Sequence, residues 1–179
     1  FKYLLMASCE LYAGYEILCQ DAVGGVDAVY LMEFSNVDAI NDVSGVVTGI
    51  TKASGKRFWQ FQLPTKSSAI ASANPVTSIE NGTRFWEHRV EFPINKRDIT
   101  TRNLVDVLTK VPVVAVTKDK DGVYRLYGRY GGLFNEGSSG TTGSAAGDAN
   151  GYKIGLSGTE REDFVVLNDA VAAALETAG

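Results

Sequence analysis

The chain has one histidine, His88, two cysteines, Cys9 and Cys19, and four prolines in 179 residues. Three such side chains cannot build a four-ligand zinc site of the structural Cys/His type. Only carboxylate metal sites stay open. Two cysteines are too few for the disulfide framework of small secreted domains. A single Cys9–Cys19 bridge is all they can form, and they are read here as free thiols in a cytosolic chain. No Ser-His-Asp or Cys-His arrangement is available except through His88, and no Gly-x-Ser-x-Gly motif marks a nucleophile elbow.

Other shortages narrow the class further. No 18-residue apolar stretch is present, so no transmembrane helix is expected. Basic residues never run beyond the pairs Lys56-Arg57 and Lys96-Arg97, and the net charge is −4, which argues against a nucleic-acid-binding face. It does not exclude a surface that DNA slides past. Phe1 to Cys9 ends on small residues before a cysteine, as a lipoprotein signal does, but is too short for a charged region plus an apolar core. Met6 is an alternative start.

What the chain does have is glycine, 19 in all, and alternation. Val29 to Phe34 reads as a first strand, and Gly45–Thr51 and Lys56–Leu63 as a hairpin across Lys52–Gly55. From Arg84 to Ile94 apolar Trp86, Val90, Phe92 and Ile94 alternate with Glu87, Arg89 and Glu91, the period of a half-buried strand. His88 falls on its apolar side and reads as a packing residue. Glu87 and Glu91 share the other face, a solvated stripe rather than a catalytic pair.

A helix is expected over 100–111, capped by Thr100 or Thr101, with Leu104, Val105, Leu108 and Val111 on one side and Pro112 as its stop. Val113–Thr117 and Val123–Tyr130 then form a hairpin across Lys118–Gly122. That turn fails as a calcium loop, because Thr117 and Gly128 stand where carboxylates are required. Tyr152–Ser157 is a last strand, and Asn168-Asp169 caps a short terminal helix. Two segments read as long loops: 65–82, mostly small and polar, and 131–151, which holds seven glycines.

The order of these parts, and the phrases ITKASGKRFWQFQL, ENGTRFWEHRVEF and GDANGYKIGLSGTERED, resembles the tail tube proteins of tailed bacteriophages, in particular virion proteins of phages of Bacteroidetes. The resemblance spans Cys9 to Asp163. It implies a mainly β fold, a β-sandwich or barrel with one internal helix packed on the sheet. Residues 1–22 would be an N-terminal arm, 23–158 the tube domain and 159–179 a C-terminal extension.

It also implies no active site and no cofactor. Its partners would be further copies of itself in stacked, commonly hexameric rings, other tail proteins, and phage DNA passing non-specifically through the lumen, with no membrane insertion. The protein would be made in the host cytoplasm and reside in the virion. Thr65, Lys66, Ile70, Asn74, Pro75, Ile79, Phe134, Asn135 and Phe164 are the candidate subunit-interface residues, with 65–82 as the loop reaching a neighbour. A neck or baseplate protein of the same fold, a secreted or surface β-sandwich module binding glycan or protein, and a small hydrolase using carboxylates are the alternatives.

Overall fold

The computed structural model describes residues 11, 13–66 and 68–179. Its twelve strands fall into two sheets. β1 (Val26–Glu33), β2 (Val37–Val43), β3 (Val46–Lys52) and β4 (Trp59–Gln62) precede β5 (Ile70–Ser78) and β6 (Thr83–Ile94). Helix α1 (Ile99–Leu108) leads to β7 (Val113–Asp119), β8 (Tyr124–Tyr127), β9 (Phe134–Asn135) and β10 (Ser139–Thr141). β11 (Gly151–Glu160), β12 (Val165–Leu167) and α2 (Asp169–Ala173) complete the chain. The larger sheet runs β2-β3-β12-β8-β7-β1-β4, the smaller β10-β11-β6-β5, with β9 also on β11.

The layering follows from which residues alternate. Val29, Leu31 and Ala115 on one face of the larger sheet meet Val90, Phe92, Ile154 and Leu156 of the smaller, which makes the sandwich core. The larger sheet is apolar on its other face too. There Ala28, Tyr30, Met32, Val114 and Val116 are buried with Val47, Phe58, Val165, Leu167 and Leu175. A sheet buried on both faces needs near-continuous apolar runs, and β7 begins Val-Val-Ala-Val for that reason. α1 closes the sandwich beside β4, with Leu108 in the core and Val105 packed against it.

The fold class is as the sequence reads: mainly β, two packed sheets, one internal helix and a short terminal one. The β7–β8 hairpin forms as expected, with Gly122 at φ +85° in its turn. Several details differ. β3 and β4 are no hairpin: β3 pairs with β2 and β12, while β4 lies at the far edge beside β1. The true hairpin is β2–β3, turned at Ser44 (φ +52°) and Gly45 (φ +82°), the double positive φ of a tight two-residue connection. Residues 53–58 instead cross the back of the larger sheet, because Phe58 is a core plug whose N–H donates to the Leu175 carbonyl.

Segment 65–82 is no long loop. Nine of its residues form β5, paired along its full length with β6. Pro75, Asn74 and the small side chains hide the strand from a propensity reading, and an edge position tolerates the missing N–H of Pro75. Segment 131–151 likewise contributes β9 and β10 to β11.

Residues 159–179 are no appendage either. β11 runs on to Glu160, and β12 sits between β3 and β8, parallel to the first and antiparallel to the second. α1 begins at Ile99, one residue before the expected start. Its cap is Asp98, whose Oδ1 accepts from the Thr101 N–H at 2.8 Å, not Thr100 or Thr101. It ends at Leu108, short of the expected 111, since Pro112 keeps Val111 from helical geometry. Cys19 is exposed, and the question of a Cys9–Cys19 bridge lies outside the described residues.

Candidate assembly surface

The smaller sheet buries one face and leaves the other open. Register places Glu87, Arg89, Glu91 and Pro93 of β6 outward, beside Thr159, Ser157, Gly155 and Lys153 of β11. Ile70, Ser72, Asn74 and Val76 of β5 continue the same face. Its charges are locally matched. Glu91 accepts from the Arg89 guanidinium at 2.6 Å through Nε and meets Lys153 Nζ at 3.1 Å. Those cations, Arg89 first, hold the Glu91 carboxyl below the usual carboxylate range. Glu136 lies over the same face and accepts from Ser157 Oγ at 2.5 Å.

Two glycines let the 131–137 segment lie against β11. A Cβ at Gly155 would stand 2.4 Å from the Glu136 carbonyl oxygen, and one at Gly158 2.5 Å from that of Gly132. The glycines therefore fix a close backbone approach rather than loosening a loop. The resulting groove, about 530 Å³, is walled by Asn74, Glu87, Arg89, Phe134, Glu136 and Ser157.

Of the residues expected at an interface, Ile70, Asn74 and Phe134 come together on this face and its rim. Pro75 lies on the edge strand β5. Thr65 and Lys66 precede β5 and Ile79 follows it, all exposed, at its two ends. Asn135 is half-buried, with its Nδ2 enclosed and unpartnered. Phe164 is not part of the surface set. It is half-buried against Tyr127, with the Arg125 guanidinium 5.2 Å over its ring, and serves the core of its own copy.

Among the described residues His88 and Glu160 are buried beneath this face, with Tyr127 packed against the His88 ring. His88 Nδ1 accepts from the Gly128 N–H at 3.3 Å, so the proton is on Nε2, which donates to the Glu162 carbonyl at 3.0 Å. Burial pushes its pKa down. In this tautomer the one basic lone pair, on Nδ1, points inward to the Gly128 N–H. Glu160, which sequence reasoning missed, accepts from the N–H groups of Tyr130 at 2.9 Å and Gly131 at 3.0 Å and pins the turn that follows β8. Only its place in a Thr-Glu-Arg-Glu-Asp polar run was visible, and that suggests exposure.

Among the described residues no group of three or more His, Cys, Asp or Glu side chains is placed to hold a metal, and no helix is long and apolar enough to cross a membrane. No family model matches the chain, and neither a curated protein nor a solved structure is significantly similar to it.

Proposed function

We propose that this protein is a virion structural subunit that self-assembles into stacked, hexameric rings and forms the tube of a phage tail, with DNA passing through the lumen. The observation that carries the reading is the open face of the smaller sheet. It is polar and mildly acidic, Arg89 and Lys153 are both engaged by Glu91, and the sheet ends in edge strands, β5 and β10, available for continuation into a neighbour. Turned to a lumen, such a face offers phosphates no free cation to adhere to. The sequence resemblance to tail tube proteins supports the same role, and a neck or baseplate subunit is its nearest variant.

The groove beside Asn74 and Phe134 favours a second reading, a sandwich module that binds glycan or protein. Negative-stain microscopy of the purified protein separates the two. Rings or tubes about 10 nm across, the scale of a ring of six such domains, are expected. A protein that stays monomeric at high concentration sinks the tube reading and leaves the binding module.

A further inference from the structure

Residues 13–25, with Leu11 before them, enter β1 as an arm whose large apolar side chains, among the described residues, are exposed in their own copy. Leu11, Tyr15, Ile17, Leu18 and Val23 all face solvent, Leu11 at 95% and Ile17 at 81% exposure. Among the described residues the arm forms no strand, and the backbone hydrogen bond from Asp21 N–H to Cys19 O is a local turn. From Leu11 to Gly25 it carries Glu16 and Asp21 and neither lysine nor arginine.

A groove of matching character lies between α1 and β4. It encloses about 300 Å³, with Trp59, Phe61, Leu104, Val107 and Val111 in its walls and Lys56 and Arg57 at its rim, against one carboxylate, Glu33. Trp59 is 59% exposed, with the Arg57 guanidinium 4.2 Å over its ring, and Leu104 and Val107 are exposed on the helix. Among the described residues β4 pairs only with β1, so its outer N–H and C=O groups are free to accept a strand.

We infer that the arm of a second copy adds along β4, sets Tyr15 and Ile17 into this groove and brings its carboxylates to Lys56 and Arg57. Tyr15 and Ile17 are two apart and share a face of an extended chain. The arm's own copy is the poorer donor. Its arm leaves β1 at Val26, while the groove lies at Leu31–Glu33, and doubling back would run it parallel to β4, which is antiparallel to β1. Parallel addition is the weaker pairing. The inference rests on the self-assembly proposed above and names the contact that joins one copy to the next.

The test is a disulfide between Ile17→Cys and Val107→Cys in a chain carrying Cys9→Ser and Cys19→Ser, oxidised after assembly and run without reductant. A ladder of linked copies that collapses on reduction is expected. A compacted monomer band means the arm folds on its own copy, and particles that form without any cross-link mean it docks elsewhere. Either result overturns the inference while the tube reading stands.

In parallel, Tyr15→Asp with Ile17→Asp is expected to lower the assembled fraction roughly 10-fold or more, the scale set by losing even one buried apolar contact. The melting temperature of the monomer should not move, because neither side chain packs within it. Undiminished assembly of this variant also overturns the inference. If the native chain forms no particles at all, the assembly reading fails and this one falls with it.

Discussion

His88 is 2% exposed, yet an alternation argument places it correctly, since it stands between Trp86 and Val90 on the apolar side of β6. Its partners were not legible, because Gly128 and Glu162 lie 40 and 74 residues away in sequence. The burial has a pH consequence. Desolvation depresses its pKa below the ordinary 6.5, with Glu160, the bond to Glu162 and Asp163 pulling the other way. The unfolded chain then binds the proton more readily than the folded one, so stability is full above about pH 6.5 and falls as the pH drops below it. Urea midpoints between pH 7 and 5 should decline for the native protein and decline less for His88→Gln. Equal slopes would show that the ring is not held neutral.

Glu160 is the converse case, a charge in a polar run that ends up 3% exposed. Nothing local signals it, because what buries it is the turn of Tyr130 and Gly131 folded onto its carboxylate. Glu160→Ala takes the charged acceptor from the Tyr130 and Gly131 N–H groups and is expected to cost about 2–4 kcal/mol in urea unfolding. Glu160→Gln, which keeps one acceptor oxygen, should cost less. A loss below that of an ordinary surface substitution would mean water replaces the carboxylate.

At the level of elements, legibility followed the strength of local pattern. β6 and the β7–β8 hairpin stand out by alternation and an Asp-Gly turn. β5 carries a proline and small residues and exists as a strand only because β6 offers it a full-length partner. β12 is three residues long, too short for any periodicity, and is specified by the slot between β3 and β8. That slot makes it structural. Leu167→Ala should cost about 2–5 kcal/mol as a core truncation. Removing residues 165–179 should abolish cooperative unfolding, since it parts β3 from β8 and uncovers Phe58 and Met32. A truncated chain with a native-like melting transition would restore the view of this segment as an appended arm.

For the whole molecule, charge placement matters more than net charge. A balance of −4 is equally what ordinary solubility gives, and the sequence alone does not say which acids face which cations. Folding resolves this on the open face of the smaller sheet. There Arg89 and Lys153 stand among Glu87, Glu91 and Glu136, two cations against three carboxylates, and Glu91 holds both cations. In an assembled ring every copy would repeat this arrangement, so a single change is multiplied around the lumen. Glu91→Lys removes the shared acceptor and turns an excess carboxylate into an excess cation, while the longer stem can still carry its charge outward from the sheet. Native particles are expected to leave duplex DNA unretarded in a gel-shift assay at about 50 mM salt. Glu91→Lys particles should retard it, and release it as salt rises toward about 200 mM, as counterion-linked binding requires. DNA retention by the native particles equal to that of the variant would mean that this face does not line the channel.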